Sequence, residues 1–156
     1  NTPEALKAII SEKTIALFGR YNVLSERELR SRYEVYQEAY DGTIMIEANC
    51  ALTMARTMIM PAVVMYQKEL AEGIVALEAA GGVNVAPNRH LLGEVSDAFG
   101  DLTDAIAVLD GAIEQQGTAE ALAAMSSLRT AADRLEEFIP HELWPLPSYA
   151  EMMFLD

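Results

Sequence analysis

The stretch from Thr43 to Ala80 constrains this chain more than any other. Its apolar residues Ile44, Ala48, Leu52, Ala55, Ile59, Ala62, Tyr66, Leu70, Ile74 and Leu77 recur every three or four positions, which is helical spacing. The other faces are apolar too, with Met45, Met54, Met58, Met60 and Met65 interspersed. A helix that is apolar nearly all round is either central to its fold or covered by partners. Pro61 is expected to kink it, because proline removes a backbone donor and its ring clashes with the preceding turn. Gly81-Gly82 closes it. The methionines suit either an adaptable binding surface or core packing, and core packing is the expectation.

The remaining segments also read as helix, so the predicted fold class is all-α. Thr2-Pro3-Glu4 is a start signal, with Thr as cap and Pro at the first helical position. Leu6, Ile9, Ile10, Leu17 and Phe18 follow, and Gly19 is expected to end that helix. Ser25-Glu26-Arg27-Glu28 is a capping box, and Leu24 and Leu29 occupy the positions of a hydrophobic staple. Leu29, Tyr33, Tyr36 and Tyr40 step along one face as a core stripe, each tyrosine keeping a polar tip. Asp41-Gly42 either breaks or weakens this helix. A loop is expected over 81–90, with Asn88 as the next cap. Val95, Phe99, Leu102, Ile106, Leu109 and Ile113 then form a heptad seam. Gly117-Thr118 is a stop and a start, and Leu122, Met125, Leu128, Ala132, Leu135 and Ile139 form the second seam. Two such helices joined by so short a turn predict an antiparallel helical hairpin. The expected architecture is a single helical domain, 1–156. It divides into N-terminal helices and a long Pro-kinked helix (1–80), the loop (81–90), the hairpin (91–140) and an aromatic tail (141–156), extended over 144–149 with room for a final turn or two over 149–155.

Charge excludes several classes of partner. The 24 acidic residues against 11 basic ones give a net charge of −13, which disfavours nucleic acid and an anionic membrane surface. The longest uncharged apolar run, Thr57 to Gln67, falls well short of the ~20 residues needed to cross a bilayer. Lys7, Glu12 and Lys13 interrupt the only region that could resemble a signal peptide. The single cysteine, Cys50, allows neither an intramolecular disulfide nor a cysteine-based zinc site and suits a reducing compartment. Its apolar surroundings predict a buried small hydrophobe. The chain begins at Asn1 without a methionine and reads as a fragment of something longer.

Catalytic signatures are scarce. Neither His90 nor His141 follows a glutamate by three residues, the spacing of carboxylate-bridged metal bundles. Position 145 is proline, so His141-Glu142 does not extend to a zinc-protease motif, and Gly81-Gly82 lacks the Lys-Ser/Thr of a phosphate loop. Glu94, Asp97, Asp101 and Asp104 share one helical face. Oxygen-rich faces can hold hard cations, but a solvated face is the expectation. Arg20, Arg27, Arg30 and Arg32 form a local basic cluster with Glu26 and Glu28 among them. Helix-surface pairing accounts for it, and docking to an acidic neighbour is the sharper alternative. Glu47 and Arg56 are charges in the most apolar segment, so each is expected to meet another helix or another chain.

Two stretches carry a family resemblance. The run Leu17-Phe18-Gly19-Arg20-Tyr21-Asn22-Val23-Leu24-Ser25-Glu26-Arg27-Glu28-Leu29-Arg30-Ser31-Arg32-Tyr33-Glu34, then Ile46-Glu47-Ala48 and Pro61-Ala62-Val63-Val64, resembles the C-terminal region of type III glutamine synthetases. Leu143-Trp144-Pro145-Leu146-Pro147-Ser148-Tyr149 with Met152-Met153-Phe154 looks like the terminus of those enzymes. The resemblance is strongest over about 12–72 and 128–155.

The resemblance implies a non-catalytic structural and assembly domain. The parent would be a cytoplasmic, homo-oligomeric ATP-dependent glutamate–ammonia ligase using Mg or Mn, with its catalytic and metal residues in a preceding region. No catalytic, cofactor-binding or metal residue is carried over to this chain. Implied partners are that catalytic region and neighbouring subunits, with neither nucleic acid nor membrane. Candidate interface residues are Trp144, Leu146, Tyr149, Phe154, Arg27 and Arg30. The alternative from another class is a free-standing acidic helical module that binds protein through its Met-rich helix.

Overall fold

The computed structural model describes residues 1–147 and 149–153, leaving aside the side chains of Tyr149 and Ala150. Among these residues it is all-α, with no strand. Its helices are α1 (Thr2–Lys7), α2 (Glu12–Arg20), α3 (Glu26–Met54), α4 (Met60–Ala80), α5 (Ala86–Glu114), α6 (Thr118–Glu136) and α7 (Tyr149–Met153). The expected Phe154 contact lies outside the described residues. By internal contacts the chain divides into two compact units, Asn1–Glu47 and Ala48–Asp156. The division falls inside α3.

In the first unit the N-terminal helix is not continuous. The cap is Asn1, not Thr2: its side chain accepts from Glu4 N–H while Glu4 reaches back to Asn1. A 3₁₀ turn over Ala8–Ile10 follows, and Ser11 is extended (φ −67°, ψ 147°). Ser11 then caps α2 by accepting from Thr14 N–H. Serine competes for backbone hydrogen bonds and so favours caps over helix interiors. The capping box at Ser25 forms as expected. Ser25 N–H donates to Glu28 Oε2 at 2.8 Å, and Glu28 N–H donates to Ser25 Oγ at 3.4 Å. Helix α3 passes through Asp41-Gly42 without a break.

Little of this unit is buried. Among the described residues only Leu29 and Ile44 count as core there, while Leu17, Tyr21, Val23, Val35, Tyr36 and Ile46 are exposed. Tyr36 therefore leaves the predicted stripe, while Tyr33 and Tyr40 are half-buried.

The second unit is better packed. A five-residue π-helical turn, Ala55–Ile59, joins α3 to α4, and Met60 N–H reaches back to Ala55 O, five residues away. It lies immediately before Pro61. Proline brings no N–H and crowds the carbonyl four residues back, and a widened turn accommodates it. Cys50, expected to be buried, is exposed. The buried face of α3 here is Ala48 and Leu52, and a residue midway between them points elsewhere on a helix.

Helix α4 ends at Gly81, whose φ of 70° and ψ of 154° suit glycine alone. The connection is shorter than 81–90, because α5 starts at Ala86. The N-cap position is Val85, without a side-chain cap bond, and Asn84 rather than Asn88 meets the first helical N–H: its Oδ1 accepts from Ala86 N–H at 3.0 Å. Asn88 lies within the helix, behind Pro87.

Three side-chain pairs join the stretch 56–78 to α5. Arg89 donates to Glu78, Gln67 to Ser96 at 3.1 Å, and Arg56 to Asp110 at 2.5 Å. As one number falls the other rises, so the two helices are antiparallel. Helix α6 follows α5 after three residues, Gln115–Gly117. Arg134 Nη1 then lies 2.5 Å from Asp101 Oδ2, which turns α6 back along α5. Asp101 of the acidic face is thus committed to an ion pair, and Glu94 lies 3.7 Å from His90.

The α5–α6 seam differs from the one read from large residues. Its buried row on α5 is Val95, Ala98, Leu102, Ala105, Leu109 and Ala112, with Ile106 beside it. On α6 it is Ala121, Ala124, Leu128, Ala131 and Leu135, with Ala132 beside it. Phe99, Ile113 and Met125 are half-buried, and Leu122 is exposed. Alternating leucine with alanine keeps a 3–4 seam while shortening the distance between backbones. Ile139 and Trp144 close the end of this core.

By length and composition, the helical run Glu26–Ala80 would suffice to cross a bilayer, although 33% of its most apolar window is buried within the structure. A core helix meets the same criterion.

Candidate functional site

One apolar concavity lies wholly in the second unit. It is a groove of about 360 Å³. Ala51, Met54, Ala55 and Ile59 form one wall, and Met125, Leu128, Arg129, Ala132, Asp133 and Glu136 form another. The tail residues Trp144, Leu146, Pro147 and Met152 close it. Small residues at 51, 55 and 132 leave the space, and the larger apolar side chains line it.

Trp144 anchors the tail. Its backbone N–H donates to Pro140 O at 3.0 Å and approaches His141 O at 3.2 Å, forming a turn that proline at 140 initiates. The side chain is only 9% exposed. Its Nε1 is buried and has no hydrogen-bond partner among the described residues. Buried polar groups are paired in the great majority of cases, so this donor is exceptional.

Polar groups stand on the groove's rim. Arg129 and Asp133 pair along α6 at 3.5 Å, and Glu136 is exposed. On the far side of Trp144, His141, Glu142 and Glu151 line a shallower depression. His141 Nε2 lies 3.9 Å from Glu151 Oε1.

Of the six interface candidates, the structure brings Trp144 and Leu146 together in this groove. Tyr149 contributes only its backbone to the described structure, at the start of α7, and Phe154 lies outside it. Arg27 and Arg30 belong to the first unit, where both are exposed on the opening turns of α3. Arg30 is paired with Glu26 at 2.7 Å, the helix-surface pairing expected of an i, i+4 couple. Arg56, expected to meet another helix, pairs with Asp110 on α5, whereas Glu47 is exposed. Met54, Ala55, Ile59, Met125, Leu128 and Ala132 of the groove walls read in sequence as separate helix faces, and only tertiary contact assembles them into one site.

A second surface lies along α4. Val64, Met65 and Val75 are 51%, 53% and 65% exposed, and Met58 just upstream is also exposed. Met58 and Met65 are therefore not core, contrary to the sequence expectation, while Met45, Met54 and Met60 are half-buried. Between Val64 and Val75 along α4 stand the exposed, paired Lys68 and Glu72.

The carboxyl of Glu28 is held below the usual range by the Ser25 backbone N–H, the Ser25 hydroxyl and Arg32. Its role is structural, in the capping box. Among the described residues no three His, Cys, Asp or Glu side chains gather as a metal site. The resemblance places the divalent cation and ATP in the preceding catalytic region, and neither is assigned to side chains of this chain.

The profile of the glutamine synthetase C-terminal domain matches residues 1–78. This chain belongs to that family. A type-3 glutamine synthetase from Dictyostelium discoideum is 34% identical over 172 aligned positions, covering 99% of this chain and 23% of the relative. A glutamine synthetase from Butyrivibrio fibrisolvens is 30% identical, covering 97% of this chain and 24% of the relative. One from Bacteroides fragilis is 29% identical over 99% of this chain and 24% of its own length. The chain thus spans about a quarter of the length of the curated relatives it matches. No solved structure matches it. The aligned relatives extend the likeness past the profile to α5, α6 and the tail.

Proposed function

We propose that this chain is the non-catalytic assembly domain of a type III glutamine synthetase. The parent would ligate ammonia to glutamate with ATP and Mg or Mn, in the cytoplasm. The domain would pack against the catalytic region and neighbouring subunits of a homo-oligomer. The observation that carries this reading is apolar surface left uncovered in a glutamine synthetase C-terminal domain: Val64, Met65 and Val75 on α4, and the groove around Trp144. The thinly buried first unit supports it, since helices without a core of their own gain stability from tertiary contacts.

The test is removal of residues 1–156 from the full-length enzyme. Light scattering should show a smaller or dissociated particle, and the purified domain should form no glutamine from glutamate, ammonia and ATP. An intact oligomer after removal, or glutamine formation by the domain alone, would refute the reading.

A further inference from the structure

We infer that Asn1–Glu47 is a folding unit of its own, which opens while the remainder of the chain stays folded, and that assembly of the parent enzyme holds it closed. The first half of this inference stands on the chain alone. The second half rests on the assembly reading above.

Burial separates the two units. Of the 47 residues in the first, Leu29 and Ile44 are buried and no others. Neither α1, the 3₁₀ turn nor α2 buries a residue. In the second unit Val63, Val95, Leu102, Leu109 and Leu135 are fully buried. Apolar burial is the main force that offsets the entropy of ordering a chain, so resistance to opening is unevenly divided. Segments with few buried apolar contacts are the ones that open locally.

Hydrogen bonding divides the same way. In the first unit the pairs Ser11–Thr14, Thr14–Ala8, Ser25–Glu28, Arg30–Glu26 and Thr43–Ala39 join residues at most six apart. Such bonds form with their own helix and are lost with it. In the second unit Gln67–Ser96, Arg134–Asp101 and Arg56–Asp110 join positions 29, 33 and 54 apart. The unit boundary falls inside α3, after Glu47. Its N-terminal part carries Gly42, a poor helix former, and Tyr33, Val35, Tyr36 and Tyr40, which lose rotamer freedom in a helix. A helical stretch of this kind depends on tertiary packing for most of its stability.

The link to assembly comes from the same residues. Leu17, Tyr21, Val23, Val35, Tyr36 and Ile46 are exposed, so this unit shows water more large apolar side chains than it buries. The glutamine synthetase profile covers the whole unit and ends before α5. The part shared across the family thus includes the unit with least core. A contact made only by the closed form stabilises that form.

The experiment is native-state hydrogen exchange on the 156-residue chain and on the full-length enzyme. In the chain, after correction for intrinsic rates, amides over 30–44 should exchange at least about a hundredfold faster than those over 95–109. In the enzyme the amides over 30–44 should slow at least about tenfold relative to the chain. Ile106→Val trims one methyl group from the buried α5–α6 core. In the chain it should speed exchange over 95–109 about two- to tenfold and leave 30–44 unchanged.

Comparable exchange in the two ranges, or equal acceleration of both by Ile106→Val, would mean one cooperative unit and overturn the inference. Exchange over 30–44 as fast in the enzyme as in the chain would overturn the coupling to assembly. If that happens while removing the domain dissolves the oligomer, the coupling falls and the assembly reading stands.

Discussion

Arg56 Nη2 lies 2.5 Å from Asp110 Oδ2, joining positions 54 residues apart in sequence. The arginine sits in the π turn and the aspartate near the end of α5, so the pair pins the irregular part of one helix to the regular part of another. Both side chains remain 38–44% exposed, which limits what the pair contributes.

A double-mutant cycle of Arg56→Ala and Asp110→Ala should give a coupling energy below about 1 kcal/mol, the range of solvent-exposed pairs. It should shrink further in 1 M salt, where screening acts over about 3 Å. Urea denaturation at two salt concentrations measures it. A large, salt-insensitive coupling would place the pair in a drier environment than the structure gives it.

Ser25→Ala should destabilise the domain by about 0.5–2 kcal/mol, the usual loss for such a cap. An unchanged denaturation midpoint would show that the capping box adds nothing.

Acidification should act through the same box. Glu28 has its folded-state pKa lowered, so the unfolded state binds the proton more readily. Its contribution is fully present above the ordinary glutamate value of about 4.3. It is lost as pH falls through the lowered native value. Glu28→Gln should flatten that part of the stability–pH curve, measured by denaturation from pH 7 to pH 3.

Across the α5–α6 seam, Ala98→Leu should cost about 1–3 kcal/mol by overpacking, because Ala98 is fully buried. Leu122→Ala should stay within about 0.5 kcal/mol, as expected for an exposed position. The sequence pattern of large residues gives the reverse ranking, so thermal or chemical denaturation of the two variants tests the alanine seam directly.

Gly81→Ala should cost about 1–3 kcal/mol, since its backbone lies in a region that only glycine occupies readily. A neutral effect would mean that the connection between α4 and α5 relaxes to another conformation.

Local chemistry made some of these features legible. Ser25 and Glu28 carry their own partner three residues away, and Gly81 marks its stop by composition alone. The break at Ser11 was hidden because Leu6, Ile9 and Ile10 before it and Leu17 and Phe18 after it keep to helical spacing. The seam kept Val95, Leu102, Ile106, Leu109, Leu128, Ala132, Leu135 and Ile139 from the sequence pattern but not Phe99, Ile113, Leu122 and Met125, because a periodicity count weights large side chains, whereas close packing of two backbones selects alanine. Cys50 was misplaced for a related reason: an apolar neighbourhood in sequence does not say which face of a helix a residue occupies. Of the candidate site, Trp144 and Leu146 were visible as large apolar groups in a proline-rich tail. Ala55 and Ala132 were visible only as members of helix faces and Ala51 not at all, because small residues signal space only once their neighbours in three dimensions are known. The orphaned indole donor is likewise a property of tertiary packing.

The π turn at Ala55–Ile59 also acts as a phase setting. Each residue of an α-helix advances the side-chain direction by about 100° and the axis by 1.5 Å. Shortening this turn by one residue would leave α4 helical, with its composition almost unchanged, yet rotate Val63 and Ile74 out of register with the segment that precedes them. The length of these five residues therefore decides which side of α4 faces inward and which remains available to other protein. A single-codon deletion there would alter the domain's outer surface more than most substitutions on that surface.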